Sequence, residues 1–150
     1  HGRHQAFQPA LRRLHGRVIG RLAADTEPVL DLPLCSLRLM TDARWPWLIL
    51  VPQVSDATEL HDLGKADQAA LWREMVMAGR ALKAVTGCEK INTGALGNIV
   101  RQLHVHVVAR NPGDPAWPGP VWGQGPRVPY ATSDIEALSE AIRSQIGAQR

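Results

Sequence analysis

Along residues 102–108 polar and apolar side chains alternate as far as Val107, with a second valine at 108, the period of a β-strand, where successive side chains switch faces. The pattern predicts a strand with Gln102, His104 and His106 in one row and Leu103, Val105 and Val107 turned to the core. At a rise of ~3.3 Å per residue, neighbours in that row would stand ~7 Å apart. Residues 34–40 also alternate, residues 47–51 form a continuous apolar run, and Thr41, Asp42, Ala43 and Arg44 between them carry turn chemistry. Together they predict a hairpin whose second strand is buried on both sides. Pro46 belongs at the start or edge of that strand, and Pro52 stops it. Lys90, Ile91 and Asn92 open a further strand that turns through residues 93–97 and returns at Gln102.

Elsewhere the period lengthens. Leu71, Met75, Ala78, Leu82 and Val85 draw one apolar stripe along a helix of about twenty residues, N-capped by Asp67 and ended by Gly87. Trp72, Val76 and Gly79 widen the stripe. Ser133, Asp134, Ile135 and Glu136 read as a capping box, with Ile135, Leu138, Ile142 and Ile146 as the buried face of a C-terminal helix. Residues 22–33 read as an irregular lead-in with one short strand near residues 28–32, and residues 55–63 as a polar connector holding a lone His61. Residues 10–14 suit a short helix ended by Gly16, within a basic extension that begins at His1, a tag remnant or trimmed start. The expected division is an extension over 1–21, a core over 22–110, and a Trp/Pro-rich segment with the last helix over 111–150, packed on the same domain.

A chain of 150 residues suits one such core, and 45% hydrophobic with 21% charged residues is ordinary globular composition. The formal net charge of +3 favours anionic ligands, but no concentrated basic run marks a nucleic-acid binder. No apolar run approaches the ~20 residues of a membrane span, so neither nucleic acid nor membrane is an expected partner and the expected location is cytoplasmic. Cys35 and Cys88 have no zinc-like spacing with histidine and read as reduced structural thiols. Five tryptophans stand out against one Phe and one Tyr. Two of them, Trp117 and Trp122, lie in residues 111–130 among six prolines and four glycines, and exposed indoles in so irregular a loop would cost too much apolar area unless docked.

The row Gln102-Leu-His104-Val-His106-Val-Val resembles the histidine triad (HIT) family of nucleotide hydrolases and transferases, whose signature alternates three histidines with apolar residues. Gln102 takes the first histidine's place. The approach through Asn92 and Gly97-Asn98-Ile99-Val100 is also similar, and the resemblance spans about residues 22–123. It implies an α+β fold, an antiparallel sheet of about five strands with one long packing helix and a C-terminal helix, meeting a second copy in a homodimer. It further implies a nucleotide or dinucleotide substrate, His104 as the nucleophile forming a nucleotidyl-imidazole at the α-phosphate, His106 as its phosphate-binding or orienting neighbour, and no cofactor. Asn92 and Asn98 match positions that hold the α-phosphate and bridging oxygen. Asp42, or Thr41 beside it, matches the hairpin residue that holds the ribose. In the family, a segment comparable to the Trp/Pro-rich tail reaches across the dimer.

The residue types fit that chemistry. A free imidazole of pKa ~6.5 is mostly neutral near pH 7 and can attack phosphorus once it has the right tautomer. An amide at position 102 donates a hydrogen bond but carries no proton, so the reading favours leaving groups that are already acidic, such as the phosphate end of a dinucleoside polyphosphate. Plainer readings stand beside each assignment. Asp42 suits an Asx-turn, Asn92 and Asn98 suit turns, the tail suits wrapping of its own sheet, and the two histidines suit a solvent-facing sheet. A His-x-His pair also suits zinc, but no Cys, Asp or Glu lies in the strand or its turn to complete a metal site. The alternative of another class is a catalytically weak nucleotide sensor or partner-binding module.

Overall fold

The computed structural model describes Val18 and residues 20–149. The expected helix over residues 10–14 lies outside them. Five antiparallel strands, β1 (Thr26–Asp31), β2 (Cys35–Met40), β3 (Trp47–Pro52), β4 (Lys90–Gly94) and β5 (Val105–Arg110), form one sheet in the order β1-β2-β3-β5-β4. Among the described residues three α-helices accompany it: α1 (Gly20–Asp25), α2 (Lys65–Thr86) and α3 (Thr132–Gln149). The α+β arrangement expected from the sequence is the one observed.

The sheet is sandwiched unequally. On one face Leu37, Leu39, Leu48, Leu50, Val105 and Val107 pack with Leu71, Ala78 and Leu82 of α2 and with Ile142 and Ile146 of α3. Leu82 is wholly buried there, and truncating such a side chain costs about 2–5 kcal/mol. On the other face Trp47, Ile49, Val51 and Val108 pack with Trp45, Leu22 and Val121. Every residue of β3 and β5 is buried, as a strand covered on both faces requires. No helix among the described residues is long and apolar enough to cross a membrane.

Four local expectations are corrected. Residues 102–104 are not strand, because Leu103 N donates to Ala57 O at 3.0 Å and His104 Nδ1 takes Gln102 O, so the ladder starts at the Leu50–Val105 pair. Asp67 is not the N-cap of α2. Gly64 is, its carbonyl accepting from Gln68 N at 2.8 Å, while Asp67 sits in the first turn, where its charge suits the helix dipole. Helix α3 begins at Thr132, one residue ahead of the expected cap, because Ala131 O already accepts from Asp134 N and Ile135 N. Trp72 and Val76 do not join the buried stripe; they are 66% and 42% exposed. Helix α1 replaces part of the expected irregular lead-in, anchored by buried Leu22, while Gly87 ends α2 in the left-handed conformation as its sequence position foretold.

Candidate active site

On the Trp45 face of the sheet a cleft of about 530 Å³ opens between the β2–β3 hairpin, the loop after β4 and the tail, a volume suited to a small organic ligand. His104 and His106 line it with Asp42, Asn98, Trp47 and Trp122. Strand β5 points His106 into it, because His106 shares its face with Val108 while Val105 and Val107 face the helices. The two imidazoles stand close, ring centroids 4.9 Å apart at 65°.

Their hydrogen bonds assign opposite tautomers. His104 Nδ1 lies 2.6 Å from the Gln102 carbonyl, which only accepts, so Nδ1 carries the proton and Nε2 keeps its lone pair. The Trp47 indole Nε1–H donates to His106 Nδ1 at 3.0 Å, so that nitrogen carries the lone pair and the neutral ring has its proton on Nε2. Burial, and then the charge His104 can carry, push the His106 pKa down to about 3. His106 therefore stays neutral at physiological pH. The pair combines one imidazole with a lone pair on Nε2 and one with an N–H there, the minimum for attack on phosphorus beside stabilisation of an oxygen.

Tryptophans, whose excess the composition showed, form the back wall. Trp122 meets His106 edge-on at 5.3 Å and Trp47 at 6.4 Å, and Trp45 meets Trp47 at 6.2 Å. The Trp122 segment lies on its own chain's sheet. It is fastened to the hairpin and to the end of α1: Ala43 N donates to Val128 O at 2.6 Å, Arg44 Nη1 to Gln124 O at 2.7 Å, and Arg127 to Thr41 Oγ1 and Asp25 Oδ1. The sequence showed the tail and the hairpin but not that they meet, since these partners lie 80 or more positions apart.

The other expected site residues are divided by the fold. Asn98 is exposed on the cleft-lining loop beside Gly97, whose φ of 76° suits glycine. Asp42 lines the cleft but is spoken for: Oδ1 accepts from Arg44 N, Arg44 Nε and Val128 N, and Oδ2 from Arg44 Nη2 at 2.8 Å. The Arg44 N contact is the Asx-turn bond, and although burial opposes it, the Arg44 guanidinium with backbone N–H groups holds the carboxyl below its usual range. Asn92 does not line the cleft; its Oδ1 accepts from Arg110 Nη1 at 2.9 Å. Gln102 does not line it either, and both atoms of its buried amide lack a hydrogen-bond partner among the described residues. His61 lies at a separate groove between α2 and β4. No cluster of three His, Cys, Asp or Glu that could hold a metal occurs among the described residues.

Comparison with known proteins places this arrangement. A family model described as the HIT domain matches residues 21–113. A histidine triad protein from Bradyrhizobium japonicum is 44% identical with a TM-score of 0.85, covering 87% of this chain and 97% of that one. A histidine triad (HIT) protein from Sinorhizobium meliloti 1021 is 50% identical at a TM-score of 0.85, with 88% and 98% covered. A third, from Marinobacter aquaeolei VT8, is 40% identical at a TM-score of 0.85, with 88% and 96% covered. No curated protein sequence matches. A domain match across most of the described core, joined to solved structures that share both sequence and fold over nearly their whole length, makes this chain a member of the histidine triad family.

Proposed function

We propose that the chain is a nucleotide hydrolase or nucleotidyl transferase acting at the α-phosphate of a dinucleoside polyphosphate or related nucleotide ester, through a covalent intermediate on His104. The observation that carries the reading is the tautomer of His104, set by the 2.6 Å contact of Nδ1 with Gln102 O, which leaves Nε2 as a nucleophile beside the cleft. In the reaction Nε2 bonds to phosphorus as the bond to the leaving oxygen breaks, and that oxygen departs with the electron pair. Water or another acceptor then attacks phosphorus, the N–P bond breaks, and the acceptor's proton passes to solvent. His106 Nε2–H and the amide of Asn98 donate to the phosphoryl oxygens. Asp42 and Asn92 serve indirectly, Asp42 by holding Arg44 and the tail, Asn92 by holding Arg110.

The same reading includes a homodimer formed through α2 and the outer edge of β4. It is supported by exposed Trp72 and Val76, which with Ile91 and Thr93 line an apolar groove of about 560 Å³ beside an edge strand. Sedimentation should give a dimer that Trp72→Glu splits. Neither buried cysteine, Cys35 or Cys88, is in a disulfide, which suits work in the cytoplasm.

The test is incubation with labelled diadenosine tetraphosphate. Wild type should turn it over and carry an acid-labile, base-stable adduct, both lost in His104→Ala. Tight nucleotide binding with neither turnover nor adduct would establish the sensor alternative instead.

A further inference from the structure

Trp47 opens β3 opposite Val108, and His106 stands opposite Ile49. The two side chains are thus diagonal neighbours on one face of an antiparallel pair, a separation long aromatic groups bridge. The indole is not free to swing. It is 7% exposed, wedged edge-on between Trp45 and Trp122, and the start of its strand is pinned where Ala109 N donates to Pro46 O at 2.9 Å. An indole N–H donates and never accepts. A carboxylate or carbonyl at this place would draw a proton onto His106 Nδ1; the indole forbids one there.

We propose that Trp47 is a positioning residue that locks His106 as a neutral Nε2–H donor facing the cleft and denies it any part in moving protons. Its consequence for turnover rests on the nucleotidyl-histidine reading above. With His106 locked and Gln102 an amide, neither flank of His104 can protonate a departing group. The substrates this site serves are then nucleoside phosphates joined to an acidic partner, through a phosphoanhydride or a mixed anhydride with a carboxylic acid, whose anion leaves unaided.

The experiment is nitrogen-15 NMR of the full chain near neutral pH. In wild type, His106 Nδ1 should show the shift of an unprotonated ring nitrogen, Nε2 that of a protonated one, and a coupling across the hydrogen bond should join Trp47 Nε1 to His106 Nδ1. Trp47→Phe should abolish the coupling and populate the other tautomer, while Trp122→Phe, which removes a ring contact but no donated bond, should keep both signatures. Where nucleotide is turned over, Trp47→Phe should lower kcat by roughly ten-fold with KM little changed, the lower end of what losing the partner that orients a site histidine costs in metal sites. A protonated Nδ1 or a missing coupling in wild type overturns the assignment, and so does a folded Trp47→Phe whose tautomer is unaltered. If that variant fails to fold, the wild-type coupling decides alone. These signals exist whether or not the chain is an enzyme, so failure of the Trp47 assignment and failure of the proposed chemistry are separate results.

Discussion

Gly94 and Trp122 touch so closely that a β-carbon at position 94 would lie 3.3 Å from the indole Cη2. Gly94 closes β4 opposite His106, and Trp122 meets that histidine edge-on, so the last residue of the edge strand sets how near the tail's indole can come. A methyl group there forces the indole back by a few tenths of an ångström. Gly94→Ala should therefore alter Trp122 fluorescence and lower turnover, while thermal stability falls by about 1 kcal/mol or less, since one flexible contact moves and the core behind β5 is untouched. An unchanged indole emission would show that the tail adjusts elsewhere.

The buried state of His106 should also appear as a stability slope. Its folded pKa is about 3, against ~6.5 for an unfolded histidine. Between those values the unfolded chain binds one proton more than the folded chain, so stability is held above pH 6.5 and declines as pH falls toward 3. The decline from this residue is about 1.4 kcal/mol per pH unit inside the window. Urea unfolding of wild type and His106→Gln between pH 6.5 and 5, above most carboxylate titration, should show the mutant's slope flatter by about one proton. Equal slopes would mean that the imidazole is charged in the folded protein.

Much of this was legible in the chain and some of it was not, for physical reasons. Strand β3 announces itself because a strand buried on both faces must be apolar almost throughout, β5 through its alternation of histidine with valine, and the Leu71, Ala78 and Leu82 face of α2 because one stripe meets one sheet. Trp72 and Val76 misled because an apolar residue flanking a stripe looks the same whether it meets the core or emerges on an open face. Glu74 of α2 drew no reading from the pattern, and it is buried, its carboxylate accepting from Leu34 N and Cys35 N some forty residues away. His106 could be placed from alternation, whereas His104 lies just ahead of the strand and is held by its contact with the Gln102 carbonyl. Neither tautomer could be read there, because the deciding partners are a carbonyl outside the ladder and an indole on the neighbouring strand.

The base of the tail depends on an ion pair whose removal should be costly. Arg110 is almost fully buried, and Asp114 binds it through both oxygens, at 2.7 Å from Nε and 3.0 Å from Nη2. The Arg110 guanidinium, with the backbone N–H groups of Ala116 and Asn111, holds the Asp114 carboxyl well below the usual carboxylate range. Asp114→Ala leaves the guanidinium buried with Asn92 Oδ1 and Gly119 O as its acceptors among the described residues, and should cost about 3 kcal/mol at pH 7. A depressed pKa stabilises above ~3.9, the unfolded value, and that contribution is lost as pH falls below it. The gap between wild type and variant, read by urea unfolding, should therefore narrow in acid; a gap that persists there would mark the loss as one of packing.

Gln102→His bears most directly on the chemistry. The side-chain amide is buried with neither atom hydrogen-bonded among the described residues, while the main-chain carbonyl of the same residue holds His104 in the Nδ1–H tautomer. Exchanging the side chain therefore leaves that carbonyl in place and adds a ring that can carry a proton. Against a series of nucleoside monophosphate aryl esters, the wild-type rate should rise steeply with the acidity of the leaving phenol, because nothing beside His104 protonates the departing oxygen. In Gln102→His the rates for the least acidic phenols should gain roughly 10²-fold, the lower end of general-acid assistance, with little gain for the most acidic. Parallel slopes for the two proteins would show that the amide is no barrier to proton transfer and that the leaving group is served from elsewhere.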